Sequence, residues 1–233
     1  MHQSINKKKI YFYLSLLFLI TTIVNYSFIE TFKKFIEVKS ISIDGLNSSE
    51  EILIEKKLNI LIGKNIFFLN HNNILKKIDD IKFLENVNIR KIFPSKLKII
   101  LEKTNLIGST YVNGKKFYIG KNQELIPVHQ VQNTINLPVV FGKFKVSEYL
   151  ELLMLLDKHN IKKNEIDNFF YHNNGRWDFK NKNGLYVMLS SNNLKKSVEF
   201  YKKFLKLKLN VSKKIKSIDL RIPNQISITY EKK

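Results

Sequence analysis

The 233-residue chain has no cysteine and no alanine, and only four prolines and eight glycines. Without cysteine there are no disulfides, thiolate metal sites or cysteine nucleophiles, and the count by itself assigns no compartment. Scarce proline and glycine leave no linker of that composition. With a hydrophobic content of 44%, disordered and low-complexity scaffolds are excluded. Arginine is nearly absent: Arg90, Arg176 and Arg221 are three of 40 basic residues, so the forked side chain that suits phosphates and base edges is largely missing. The formal net charge of +20 first suggests a nucleic-acid binder. Missing alanine and abundant Ile, Lys, Asn and Phe, all with A/T-rich codons, instead ascribe much of the lysine excess to coding bias.

Catalytic patterns are missing as well. His2, His71, His129, His159 and His172 have no second histidine or carboxylate at the helical spacing of a metal site. Ser190-Ser191 lacks the glycines of a nucleophile elbow, and Gly63-Lys64 lacks the rest of a phosphate loop. Glu148 and Glu151 read as helix-start acids, and Asp79-Asp80 as the polar end of a helix. The expectation is therefore no catalytic residue, metal, cofactor or small-molecule substrate. Trp177, Phe179 and Tyr186 alternate along neighbouring strand candidates. They read as core aromatics on one sheet face rather than a stacking platform for nucleic acid.

One long uncharged run is present. Ile10 to Ile29 reads IYFYLSLLFLITTIVNYSFI, and as a helix it would rise about 30 Å, the thickness of a bilayer's hydrocarbon core. Lys7, Lys8 and Lys9 precede it, so the positive-inside rule keeps residues 1–9 in the cytoplasm and sends the rest outward. A cleaved signal peptide would have a shorter apolar region and small residues at its cleavage site. The expectation is an uncleaved anchor over Ile10–Ile29.

Beyond it, Val38–Ile43 alternates as a half-buried strand, and Ser48 with Glu51 reads as a capping box opening a helix that Gly63 stops. Asn70 or Asn72 can cap a second helix carrying Ile74, Leu75, Ile78 and Ile81. Strands follow at Val87–Ile92 and Leu97–Leu101. The order β-α-α-β-β calls for a small sheet with two helices on one face. A second unit has strand candidates at Ile107–Val112, Lys116–Ile119, Leu125–Val128, Asn168–His172, Arg176–Lys180 and Leu185–Ser190. A helix is expected from Ser147 to His159. Another is capped by Asn192 or Asn193, with Leu194, Val198, Tyr201, Leu205 and Leu209 on one face. Ile215–Ile222 and Gln225–Tyr230 close the chain.

Several segments together resemble a known family. VKSISIDGLN, then Gly63, Asn65 and Phe67, then Val87, Ile89, Pro94, Leu97, Ile99 and Glu102 are similar to the POTRA domain of the bacterial FtsQ/DivIB cell-division family. Gly175-Arg176-Trp177-Asp178-Phe179, Asn183-Gly184 and Ile218-Asp219-Leu220-Arg221 before Pro223-Asn224 resemble that family's C-terminal β domain. Lys103 where the family has Arg, Ile222 where an aromatic is common, and Gln225 in place of a glycine are departures. The resemblance implies an α+β protein: a tail over 1–9, a single transmembrane helix over 10–29, a POTRA domain over 38–104 and a mixed α/β domain with a largely antiparallel sheet over 105–233. It further implies a non-catalytic divisome scaffold, single-pass in the inner membrane with its bulk in the periplasm at the septum. Its implied partners are FtsB and FtsL, captured when a strand adds to the C-terminal edge strand. The partner-binding residues are then Ile222, Gln225, Ile226, Ser227, Ile228, Thr229 and Tyr230. The alternative is a POTRA-containing envelope assembly or secretion factor that chaperones substrate strands.

Overall fold

The computed structural model describes residues 7–22, 26–131, 136–207 and 214–231. Two helices lead the chain, α1 (Lys7–Thr22) and α2 (Tyr26–Phe35). The 16 residues of α1 rise about 24 Å. Among the described residues no helix is long and apolar enough to cross a membrane. The expected Ile10–Ile29 span also includes residues 23–25, which lie outside the described residues. The large side chains of α1 face outward: Tyr11 is 69% exposed, Phe18 71% and Ile20 60%.

The chain divides into two compact units, Met1–Ile78 with Asn88–Ile100, and Asp79–Val87 with Leu101–Lys233. In the first, α3 (Ser48–Leu58) opens at Asn47, not at Ser48. Asn47 Oδ1 accepts the Glu50 N–H at 3.0 Å, and Glu50 Oε2 accepts the Asn47 N–H at 3.3 Å. The box thus sits one residue earlier than the Ser48/Glu51 pattern suggested, because Asn47 keeps an extended backbone while Ser48 is already helical. That phase buries Ile54 and Leu58, four residues apart on one face. The next helix, α4 (His71–Leu75), is capped by Asn70 and is shorter than expected. Beyond it the amides of Lys77 and Ile78 donate to the carbonyls of Ile74 and Leu75, so tighter i→i+3 turns replace the helix. Ile74 and Ile78 are still buried.

β1 (Ser40–Asp44) runs parallel to β3 (Lys96–Lys103), and β2 (Leu84–Ile92) lies on the other side of β3. The central strand accordingly buries Leu97 and Ile99 completely.

The second unit is built on a nine-stranded sheet. Its strands are β4 (Leu106–Val112), β5 (Lys115–Gly120), β6 (Leu125–Pro127), β7 (Val139–Phe141), β8 (Ile166–Tyr171), β9 (Trp177–Asn181), β10 (Tyr186–Met188), β11 (Ile215–Asp219) and β12 (Ser227–Tyr230). Their order across the sheet is β12-β11-β10-β9-β8-β7-β4-β5-β6. The parallel pairs are β4/β7, β7/β8 and β10/β11; the others are antiparallel. The helix α5 (Val146–Lys158) is the crossover between β7 and β8, and α6 (Leu194–Lys206) that between β10 and β11. Tyr149, Leu152, Leu153 and Leu156 of α5 and Val198, Tyr201 and Phe204 of α6 are buried in one core with Phe169, Trp177, Phe179, Val187 and Ile218. Leu209, expected on the α6 stripe, lies outside the described residues.

Tyr186 does not share the core face with Trp177 and Phe179. The register sets Val187 opposite Phe179 and Tyr186 opposite Lys180, and successive residues of a strand face opposite ways. Tyr186 therefore joins Asp178 on the other face.

Candidate partner-binding edge strand

Among the described residues β12 is one edge of the sheet and pairs only with β11. Both strands are shorter than Ile215–Ile222 and Gln225–Tyr230. Side-chain and turn bonds end the ladder. The Leu220 amide faces away from β12 and donates to Met188 O of β10 at 2.9 Å. The Arg221 amide donates to Asp219 Oδ1 at 3.0 Å. The Gln225 amide then donates to Ile222 O at 3.2 Å, closing a turn with Pro223 second and Asn224 third at φ +61°. A type II turn requires that positive φ, and Asn tolerates it better than most residues.

The turn delivers the predicted residues as two groups. Ile226 and Ile228 are half-buried and pack against the core. Gln225, Ser227 and Thr229 are exposed, Ile222 is 61% exposed and Tyr230 36%. The pairs Ser217↔Thr229, Ile218↔Ile228 and Asp219↔Ser227 hold the strand, and Ile215↔Tyr230 lies beyond an irregularity on the β11 side. The Glu231 amide donates to Lys214 O at 2.9 Å. In an antiparallel ladder inward and outward amides alternate, so the N–H groups of Tyr230 and Ile228 turn toward the open edge. An edge with such donors and a large ring beside them is chemically equipped to add a strand.

A carboxylate–guanidinium fork stands beside the edge. Arg221 Nε donates to Asp219 Oδ1 at 2.9 Å, and a terminal guanidinium nitrogen donates to Oδ2 at 2.6 Å. Ile218, before Asp219, and Leu220, between Asp219 and Arg221, are in the core. The alternation of the I-D-L-R segment is thus read directly by the packing. The Arg221 hydrogen bonds hold the Asp219 carboxyl below its usual range, against a smaller opposing effect of burial. A depressed folded value contributes stability that is present above the unfolded pKa of about 3.9 and lost as pH falls through the folded value. Acidification from about pH 6 to pH 3 should therefore lower the unfolding midpoint of the native chain more than that of Asp219→Asn. The emission of Trp177 in urea checks it. The effect is small, since exposed pairs contribute about 1 kcal/mol or less.

Farther along the same sheet face lies a charged group that sequence reasoning passed over. Asp178 is fully buried. Its Oδ2 stands 2.7 Å from His172 Nε2, accepts from Arg176 at 3.0 Å and from the Tyr186 hydroxyl at 3.0 Å, while Oδ1 accepts from Arg176 Nε at 3.1 Å. Burial and the Asp178 charge push the Tyr186 hydroxyl up to about 12. The available signal was an aspartate between Trp177 and Phe179, two core aromatics. Among the described residues no group of three or more His, Cys, Asp or Glu side chains could hold a metal ion.

Two family descriptions match the chain: POTRA domain, FtsQ-type, over residues 36–103, and Cell division protein FtsQ/DivIB, C-terminal, over residues 110–221. The chain is 24% identical over 201 residues to Cell division protein FtsQ of Rickettsia bellii, covering 82% of this chain and 72% of that protein. It is 26% identical over 129 residues to Cell division protein DivIB of Clostridium botulinum, covering 55% of this chain and 50% of that one. Among solved structures, the major extracytoplasmic domain of DivIB from Geobacillus stearothermophilus covers 48% of this chain and 99% of its own at 15% identity, with a TM-score of 0.33.

Proposed function

The chain belongs to the FtsQ/DivIB family of cell-division proteins, and on that premise we propose that it is a non-catalytic divisome scaffold that captures its partners by strand addition to β12. The observation that carries this reading is the open edge of β12, with the Tyr230 ring and outward amides beside it. The partners proposed are FtsB and FtsL, by resemblance. The added strand would lie beside Ser227–Tyr230, with Ile222 and Gln225 at the entering turn and Ile226 and Ile228 holding β12 to the core. The functional division proposed is a POTRA domain over 38–104 and a β domain over 105–233. The envelope-assembly alternative has less support, because residues 110–221 match a division-family C-terminal domain.

We also propose that Ile10–Ile29 anchors the chain in the inner membrane, with the tail cytoplasmic and the bulk periplasmic at the septum. The support is physical. Ten large apolar side chains between Ile10 and Ile20 are each at least 41% exposed, and such a surface in water costs about 25 cal/mol per Å². Lys7–Lys9 set the orientation.

Tyr230→Ala in the full chain should weaken capture of the FtsB/FtsL pair about tenfold, the loss of one aromatic anchor. Titrating the purified pair onto the immobilised variant measures it; unchanged affinity would remove Tyr230 from the interface. Accessibility of a C-terminal tag from the periplasm tests the orientation.

A further inference from the structure

Phe67 and Phe68 stand 56% and 84% exposed, and Phe93 55% exposed, on the first unit. Phe67 and Phe93 lie against each other with ring centroids 4.8 Å apart. Their placement is fixed by the backbone. The Phe67 amide donates to Asn65 Oδ1 at 2.9 Å, and Lys91 Nζ donates to Phe67 O at 3.2 Å. A cleft of about 400 Å³ opens beside Phe68, and its cationic walls are Lys64, Lys76 and Lys77.

This surface continues into the N-terminal helices. The Val38 amide donates to Lys64 O at 2.9 Å, the Ile66 amide donates to Ile36 O at 2.9 Å, and Glu37 bridges antiparallel to Asn65. That register carries the chain from Ile36 back to Phe35 just where the opposite segment reaches Phe67. Phe35, 53% exposed, ends α2, with Lys33 and Lys34 in its last turn. Rings and lysines thus run together from α2 onto the body of the unit.

We infer that this surface lies on an anionic phospholipid bilayer, with Phe67, Phe68 and Phe93 entering the headgroup–acyl boundary and the lysines meeting the lipid phosphates. Exposed rings interleaved with lysine are the chemistry of an interfacial surface, and the charged residues lining the cleft beside Phe68 are all lysines, which suits lipid phosphates. Chain length supports the same occupant. Only six residues separate Ile29 from Ile36, so the end of the proposed anchor and this surface share one neighbourhood. The inference rests on the anchored reading for its geometry but is tested separately.

Because the chain has no cysteine, the variants Phe68→Cys and Phe18→Cys each take one environment-sensitive fluorophore. Each full-length labelled protein is reconstituted into vesicles of phosphatidylcholine with phosphatidylglycerol, and into phosphatidylcholine alone. The label at 68 should brighten about threefold in the phosphatidylglycerol vesicles, and nitroxides near the headgroups should quench it. Lys64→Gln with Lys76→Gln and Lys77→Gln, or about 0.5 M salt, should reverse most of that gain. A label at 68 that stays dim and unquenched in anionic vesicles overturns the docking. So does a signal indifferent to phosphatidylglycerol and to the three substitutions, or cross-linking of two copies through residue 68 without lipid quenching, which would make the surface an interface between copies. The label at 18 reads the anchor alone. Quenching at 18 by nitroxides deep in the acyl chains supports the anchor even where docking at 68 fails, and its absence overturns the anchor.

Discussion

Asp178→Ala should cost about 3 kcal/mol of folding stability, a shift that the unfolding midpoint of Trp177 emission in urea will show. The native carboxylate has 1% of its side chain exposed and is held by Arg176, Tyr186 and His172. Alanine removes the counter-charge and the acceptor together, leaving a guanidinium with 18% of its side chain exposed and a hydroxyl without its bond. Removing one member of a buried pair typically costs about 3–5 kcal/mol. The lower end applies here, because Arg176 adjoins the turn at Gly175 and has some access to water. Asp178→Asn should cost less, since it still accepts one bond. A double variant, Asp178→Leu with Arg176→Met, should recover much of the loss, because it removes both charges and fills the space. Equal losses in the single and double variants would make packing rather than charge the cause. Trp177 is the chain's only tryptophan and is 3% exposed, so its emission reports the unit that contains the network.

What the sequence made legible follows from how local each signal is. Strands β1, β3 and β9 alternate, and α5 and α6 carry apolar residues at helical spacing, so a single segment suffices to read them. β7 escaped notice because Leu-Pro-Val-Val-Phe neither alternates nor is long, the condition of a short strand in the middle of a sheet. The edge position of β12 could be guessed only from resemblance. It depends on β11 running parallel to β10 after α6, a pairing between distant segments. Asp178 was hidden for the opposite reason. Alternation correctly turned it away from Trp177 and Phe179, but polar and outward implied solvated, and only the fold brings His172, Arg176 and Tyr186 over it. The departure at Gln225 proved harmless to the turn, because Asn224 already supplies the positive φ.

If the chain captures its proposed FtsB/FtsL partners by strand addition, ending it at Asn224 should weaken that capture by about 100-fold or more. The truncation removes the donors and acceptors of the edge and both isoleucines that hold it down. β11 would then become the edge, with its register offset by the irregularity between Ile215 and Ser217, so it cannot present the same row of groups. Because truncation removes backbone and side chains together, a point substitution must separate them. Tyr230→Ala deletes only the ring. Tyr230→Pro deletes the ring and the outward N–H, while leaving intact the inward bond that Glu231 makes to Lys214; proline is tolerated on an edge where the lost N–H faces solvent. Strand addition therefore predicts that Tyr230→Pro weakens capture about fivefold more than Tyr230→Ala, the contribution of one intermolecular backbone hydrogen bond of about 1 kcal/mol. Equal affinities for the two variants would mean that the partner holds the ring and not the strand. A truncated chain that still binds would place the interface elsewhere on the protein.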